Sequence, residues 1–287
     1  MIRRRRSRGA ALLLVMWLVA LMASLIGAFA LTARIERLQE RVLTRGAVAD
    51  GAARAGVEWA LVRLGDADPR RRWLPDGRVY RWSYDGIPVE VRVVDEQGKV
   101  DINAADQPLL SGLFRAVGVP TDQAARLAGA MLDWRDADPM TQPQGGAEDP
   151  EYAAAELPYG AKDAPFETVA ETEQVLGMTP AIYARVAPYL TVFTGNATPD
   201  TTFAQGPVLT ALGLDGAAVV AAREAQAPGA EVEGLVGAGS GTYSIRSIAR
   251  LREGRTAAIS GVLRMGGNGA PGSAYTTLDW EEGTTAR

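Results

Sequence analysis

The stretch that decides the fold is RRRRSRGAALLLVMWLVALMASLIGAFALTA, residues 3–33. Five arginines precede Gly9, and the 24 residues from Ala10 to Ala33 carry no charge. A helix of that length extends about 36 Å, enough to cross a hydrocarbon core of about 30 Å. The excess of arginine on the N-terminal side predicts, by the positive-inside rule, a cytoplasmic N-terminus. The rest of the chain is then expected on the opposite side of the membrane.

Three interpretations of this segment remain open. A cleavable secretory signal would have a shorter apolar core and would be cut near Ala28-Phe29-Ala30. A single-pass anchor fits the length. In the third interpretation the chain is cut between Gly9 and Ala10, so that the arginines leave and the apolar helix stays. Arg8-Gly9 before an apolar run resembles the type III leader of pilins and pseudopilins, which a prepilin peptidase cuts after the glycine. Most pilins carry glutamate as the fifth mature residue, where this chain has Leu14, and that departure is typical of the minor pseudopilin K of type II secretion systems.

Composition limits the possible functions. A chain of 287 residues with 47% hydrophobic residues is long enough for two compact domains after the membrane segment. Without the five arginines of the leader, 25 basic and 34 acidic residues leave a net charge of −9, which disfavours nucleic acid as the main partner. The absence of cysteine and histidine excludes a disulfide framework, the usual zinc sites and Ser-His-Asp triads. We therefore expect no enzymatic activity.

The membrane helix is predicted to continue outward to Leu64, where Asp66-Ala67-Asp68-Pro69 ends it. Apolar residues recur at spacings of three, four or seven: Ile35, Leu38, Val42, Ala49, Ala53, Val57, Leu61 and Leu64. Gly46, Gly51 and Gly56 interrupt the helical composition, at a cost of about 1 kcal/mol each relative to alanine. They indicate either close packing on the domain or local bending, and close packing is the simpler interpretation.

Strand signals follow at residues 78–84 and 87–94, joined by the hairpin dipeptide Asp85-Gly86. They return at 243–251, 255–265 and 275–280, with Glu253-Gly254 as a second hairpin turn and 266–272 as an exposed loop. Because two strands alone are marginally stable, the pattern predicts one antiparallel sheet built from both ends of the ectodomain and packed on the long helix. The helical middle is then an insertion.

That middle contains a repeat, at residues 113–134, 175–190 and 209–225. Each copy has a short helix, an apolar-glycine-apolar turn and a second helix, the pattern of a helix-hairpin-helix. DNA-binding members of that class have a second glycine in the turn, where this chain has Pro120, Thr179 and Asp215. Proline lacks an N–H for phosphate and aspartate would repel it, so packing modules are favoured over DNA binding.

The segment 133–173 holds eleven acidic residues against two basic ones, Arg135 and Lys162. Calcium prefers carboxylate and carbonyl oxygens, so this density predicts a calcium site. The candidate ligands are Asp133, Asp136, Asp138, Glu148 and Asp149. The spacing does not match an EF-hand loop, and a solvated acidic loop is the alternative. A carboxylate pair for glycoside hydrolysis lacks a demonstrable aromatic cleft.

An ordered set of motifs resembles the pseudopilin K family of type II secretion over nearly the whole chain. The motifs are GKVDINAA at 98–105, LDWRDAD at 132–138, GAEDPEY at 146–152, LPY at 157–159, APF at 164–166, PYLTV at 188–192 and GTYSI at 241–245. The resemblance implies an α+β fold in which a pilin-like long N-terminal helix packs on an antiparallel sheet and a large all-α insertion with helix-hairpin-helix repeats interrupts it. It also implies bound calcium.

The predicted organisation is a leader at 1–9, a transmembrane and filament helix at 10–33, and an amphipathic helix with the first strands at 34–100. A helical insertion follows at 101–235 and the remaining strands at 236–287. The resemblance implies a minor pseudopilin at the tip of the pseudopilus that initiates or caps it and supports export of folded proteins across the outer membrane. Its partners would be the minor pseudopilins I and J, the prepilin peptidase and inner-membrane lipid, with the C-terminal domain in the periplasm and no nucleic acid. The alternative is a membrane-anchored helix-hairpin-helix protein that binds DNA in an uptake system.

Overall fold

The structure is a computed structural model that describes residues 10–143, 145–225, 239–266 and 274–283. The side chains of residues 10, 11 and 35–44 are outside the description, as is Gly9. The first helix, α1, spans Ala10–Leu64 as 55 continuous residues. At 1.5 Å per residue it is about 80 Å long. The prediction that the membrane helix continues to Leu64 is confirmed, and the glycines do not interrupt it.

The outer half of α1 packs on the sheet through a face of small and branched residues. The buried residues are Ala49, Ala52, Ala53, Val57, Ala60 and Leu61. Gly56 allows the closest approach: a Cβ there would overlap Ser247 Oγ and lie 2.9 Å from Val89 Cγ1. The close-packing interpretation is confirmed at this glycine. Gly51, in contrast, faces open space. The predicted stripe residues Ile35, Leu38 and Val42 lie outside the described side chains.

Five strands form one antiparallel sheet in the order β1-β2-β5-β6-β7. The strands are β1 Asp76–Tyr84, β2 Ile87–Asp95, β5 Thr242–Arg250, β6 Thr256–Met265 and β7 Tyr275–Gly283. Asp85 (φ 48°) and Gly86 (φ 75°) make the tight turn between β1 and β2, with the two positive φ values of a type I′ hairpin. The strands that precede and follow the helical middle of the chain therefore share one sheet, as predicted. The predicted loop at 266–272 lies outside the described residues beyond Gly266.

Between β2 and β5 the chain forms a helical region with a hydrophobic core of its own. Its helices are α2 Gln107–Ala116, α3 Thr121–Arg135, α4 Asp149–Ala154, α5 Pro180–Val186, α6 Gly206–Ala211 and α7 Gly216–Ala225. The prediction of an all-α insertion needs a correction. Two short strands, β3 Val100–Asp101 before α2 and β4 Leu190–Thr191 between α5 and α6, pair in parallel within this region. Two-residue strands are below the length that periodicity can detect.

The same glycine turn occurs three times, at Gly118, Gly177 and Gly213, with φ of 85°, 85° and 83°. Each turn precedes a helix, α3, α5 or α7. After α2 and α6 the turn is a Schellman motif, in which Val119 N–H donates to the Phe114 carbonyl and Leu214 N–H to the Leu209 carbonyl. The second turn differs because a 3₁₀ helix, Ala170–Gln174, precedes it. The repeat of helix pairs is therefore present, and its assignment as helix-hairpin-helix stays a prediction.

Buried polar contacts hold the helical region to the sheet at the end of β2 and the start of β5, where the chain leaves the sheet and returns to it. Lys99 Nζ lies 2.7 Å from Glu96 Oε1, and both side chains contact Ser244 on β5. Asp95 accepts a hydrogen bond from Ser240 N–H at 2.8 Å. Because Asp95, Glu96 and Lys99 are almost fully buried, the junction is fixed by paired charges and hydrogen bonds.

Candidate functional site

The inner half of α1 is the first functional element. Residues Leu12–Arg34 are long and apolar enough to cross a membrane, and within the described part of the chain this is the one helix that is. Its side chains are exposed, Leu14 by 72%. Such a fully apolar surface is unfavourable in water and requires lipid or other apolar helices around it.

The second element is an acidic pocket at the end of α3. Asp133 lies in the last turns of α3 with no exposed surface, and its two oxygens accept from Gln142 N–H at 3.2 Å each. The loop can close over this carboxylate because Gly146 has no side chain: a Cβ there would overlap Asp133 Oδ2. Gly145, with φ 101°, makes the turn that brings Gly146 into place. Gly145 and Gly146 together therefore allow the loop to pack against Asp133.

Two carboxylate oxygens in this pocket are buried without a hydrogen-bond partner among the described residues, Glu148 Oε1 and Asp136 Oδ1. Burial, followed by the charges of Asp133 and Asp136, raises the pKa of Glu148 to about 7. Burial also raises the pKa of Asp136 and of Asp133. Unpaired buried carboxylates are costly, so a positive charge placed in this pocket would stabilise it.

The five predicted ligands are not equivalent in the structure. Asp133, Asp136 and Asp138 are all close enough to Glu148 for their charges to raise its pKa. Asp138 also accepts from Met140 N–H at 2.9 Å. Asp149 begins α4, and its carboxylate packs closely against Gly160.

Sequence reasoning missed Asp163, whose charge also acts on Glu148 and on Asp136. Asp163 lies 15 residues after Glu148, and the sequence gave no signal that its charge would act there. Among the described residues, no three of these carboxylates already stand together as a formed ion site.

The two basic residues of the segment make their direct contacts outside the pocket, although the charge of Arg135 partly offsets the raised pKa of Asp136. Arg135 donates to the carbonyls of Ile102 at 2.5 Å and Ala105 at 2.7 Å. Lys162 pairs with Glu171 at 2.8 Å. Within the described ranges, no Lys or Arg forms an ion pair with any of the pocket's carboxylates.

The motif VDIN at 100–103 has a structural role that the sequence did not reveal. The Asp101 carboxylate accepts from Asn103 N–H and, across the region, from Thr194 and Gly195. Asn103 exchanges two hydrogen bonds with the backbone of Phe166, at 2.8 and 2.9 Å. Phe166 in turn stacks on Trp134 of α3. These contacts hold the acidic loop against the helix that carries Asp133.

Comparison with known proteins relates this chain to one family. A family model described as type II secretion system (T2SS), protein K matches residues 91–195, from β2 through the acidic pocket to just beyond β4. Type II secretion system protein K of Pectobacterium carotovorum is 28% identical over 214 residues, and that of Klebsiella pneumoniae 29% over 210 residues. Over this segment the chain is similar to the type II secretion system protein K family. The resemblance drawn from the motifs is confirmed.

The alignments cover 65% and 64% of this chain and span 63% and 62% of those protein K relatives, somewhat less than two thirds. A chain of the solved GspK-GspI-GspJ complex of enterotoxigenic Escherichia coli superposes with a TM-score of 0.54 at 18% identity. The superposition covers 88% of this chain and 99% of that one, so the fold is shared well beyond the matched segment. The protein K relatives are named as components of a secretion system and not as enzymes.

Proposed function

We propose that the protein is a minor pseudopilin of a type II secretion system. The observation that carries the proposal is the combination of a protein K segment with an exposed apolar helix that continues without a break onto the sheet. A rigid rod of about 80 Å can stand in lipid at one end and carry a folded domain at the other. The same rod can later pack against the apolar helices of neighbouring subunits, where burial contributes about 25 cal/mol per Å².

Maturation would remove the arginines by cleavage between Gly9 and Ala10, performed by a prepilin peptidase. Before assembly, the helix would anchor the chain once in the inner membrane, with a cytoplasmic N-terminus and a periplasmic domain. The mass of the native protein tests this step, since the mature chain is expected to begin at Ala10. A chain that still starts at Met1, or one that starts beyond residue 30, would contradict the proposal.

The residue at position 14 supports a place at the tip. In a pilin filament, a glutamate there would pair with a neighbour's N-terminal amine, because a carboxylate in an apolar bundle needs a cation. Leu14 cannot make that pair. The subunit would therefore begin or cap the filament, with the minor pseudopilins I and J as partners, and support export of folded proteins across the outer membrane. The structural relative, solved as a GspK-GspI-GspJ complex, supports the choice of partners.

The tip position is tested by Leu14→Glu in the complete secretion system, with Leu13→Glu as the matched control. Both substitutions place one carboxylate in the same apolar helix, but only the first restores the pilin position. We expect Leu14→Glu to be found along the shaft by labelling of the filaments, and Leu13→Glu to be absent from it. Incorporation of Leu14→Glu at the tip alone would refute the role of this position.

The acidic pocket is proposed to bind calcium. The orphaned oxygens of Glu148 and Asp136 fit such an ion, as does the hard, all-oxygen donor set completed by Asp133, Asp138 and Asp149. When bound, the ion would supply the positive charge that the pocket lacks and fix the loop on α3. Thermal unfolding of the purified full-length protein is expected to shift upward with calcium and downward with chelator. An unchanged midpoint would favour the solvated acidic loop instead.

The three helix pairs are proposed to be helix-hairpin-helix units that serve in packing. Their turn-flanking apolar residues support this role, since Leu113, Val119 and Leu209 are buried in the core of the helical region. DNA binding by an uptake protein has no support from the relatives, which are named for secretion.

A further inference from the structure

A cavity of about 180 Å³ lies between the sheet and the helical region, away from the acidic pocket. Its sheet wall is formed by the start of β1 and by Arg92 of β2, and its helical wall by the start of α6 and by Arg223 of α7. The volume is several times the roughly 30 Å³ that one water molecule occupies in the liquid. The cavity can therefore hold a small molecule.

The walls carry more positive than negative charge. Arg78 is already neutralised, because it makes a bidentate pair with Asp76, with Nη2–Oδ2 at 2.7 Å. Arg92 and Arg223 have no ion pair among the residues that the structure describes. The remaining carboxylate of the lining, Glu224, is exposed to solvent. The charges of Asp76 and Asp200 act on Arg223, but within the described residues neither acid forms an ion pair with Arg92 or Arg223.

Both groups are held in place by backbone carbonyls. Arg92 Nη1 donates to the Gly77 carbonyl at 2.8 Å. Arg223 donates to the carbonyls of Ala204 and Thr201. A carbonyl orients a guanidinium but does not neutralise it, and burial lowers the pKa of Arg223. Both guanidinium groups are oriented, that of Arg223 partly desolvated and that of Arg92 exposed, and such groups match the planar, bidentate recognition of oxyanions.

We propose that this cavity binds a small oxyanion, of the size of a tetrahedral inorganic anion or a dicarboxylate, between Arg92 and Arg223. An anion there would bridge β2 and α7 and so tie the sheet to the helical region. The contact Arg78 Nη2 to the Arg223 carbonyl, at 3.2 Å, already joins these two parts of the chain at the cavity wall. This site is independent of the pseudopilin assignment and of the calcium pocket.

The test is isothermal titration of the detergent-solubilised full-length protein with sodium sulfate and, separately, with sodium succinate. Sulfate represents a tetrahedral anion and succinate a carboxylate ligand, so the tighter of the two identifies the chemistry. We expect saturable binding of one anion per chain. Arg92→Gln and Arg223→Gln are each expected to weaken it at least tenfold. Arg252→Gln is the matched control: it removes an exposed arginine from the turn between β5 and β6, outside the cavity, and should change the affinity less than twofold.

Arg223→Gln also removes two hydrogen bonds to carbonyls, so its fold is checked by circular dichroism. Arg223→Lys keeps the charge without the planar fork and is expected to bind more weakly than the wild type. If either Arg223 variant fails to fold, Arg92→Gln decides, because Arg92 is exposed. The proposal is overturned if neither anion binds saturably, or if Arg92→Gln binds as tightly as the wild type.

Discussion

Replacing Glu148 by glutamine should stabilise the calcium-free protein and remove most of the stabilisation by calcium. The wild-type carboxylate is 5% exposed and has one oxygen without a partner. Its pKa is raised from 4.5 to about 7, chiefly by burial. A raised carboxyl pKa means that stability is lost as pH rises through the window from 4.5 to about 7. At about 1.4 kcal/mol per pKa unit, the loss is about 3 kcal/mol at pH 8.

Glutamine cannot ionise and keeps one acceptor oxygen. We therefore expect Glu148→Gln to be more stable than the wild type by up to about 3 kcal/mol at pH 8 in chelator, and by little at pH 4.5. With calcium at a hundred times its dissociation constant, the wild type should gain about 2.7 kcal/mol. The variant should gain much less, because it lacks one ligand charge. When calcium is added, the difference in unfolding free energy between the variant and the wild type should therefore shrink to near zero or change sign.

The assay is urea unfolding of the detergent-solubilised full-length protein at both pH values, with and without calcium. Glu156→Gln is the control, since Glu156 is an exposed carboxylate of the same loop, and a change below about 0.5 kcal/mol is expected. The reasoning is refuted if Glu148→Gln is less stable than the wild type in chelator at pH 8, or if calcium stabilises both proteins equally.

Three further predictions concern packing and partners. Gly56→Ala should destabilise the fold by about 1 to 3 kcal/mol because its Cβ would overlap Ser247. Gly51→Ala, at a position that faces open space, should stabilise the fold by up to about 1 kcal/mol. If urea unfolding gives both changes the same sign, the helix–sheet contact is contradicted. Asp101→Asn should lower the unfolding free energy by about 2 to 4 kcal/mol, measured by thermal unfolding. The reason is that an amide cannot accept all the hydrogen bonds that this buried carboxylate receives from Asn103, Thr194 and Gly195. A decrease below about 0.5 kcal/mol would contradict a structural role for Asp101. Duplex DNA should show no salt-dependent binding in fluorescence anisotropy, and affinity that falls steeply with added salt would revive the DNA-uptake alternative.

Several elements could be predicted from the sequence because their signals are local. The length of the uncharged run 10–33 predicted the apolar part of α1, and the apolar periodicity predicted its continuation to Leu64. Asp85-Gly86 defined the β1–β2 turn because few other residue pairs adopt two positive φ values. The three glycine turns were visible because each lies within one short repeat. The acidic composition of 133–173 indicated a site but not its geometry.

What the tertiary structure alone decided depends on residues far apart in the chain. The pairing of β3 with β4 joins positions 90 residues apart, and Asp101 reaches Thr194 and Gly195, which are 93 and 94 residues away. The charge of Asp163 acts on Glu148 across 15 positions of the chain, and Arg92 of β2 and Arg223 of α7 line the same cavity although they lie far apart in the sequence. Periodicity and turn chemistry report the conformation of neighbouring residues, whereas burial and unpaired charge arise from contacts that folding creates. The sequence by itself therefore determined the long helix, the hairpins and the turns. The packing of the helical region on the sheet determined which carboxylates and guanidinium groups of the described residues have no ion-pair partner.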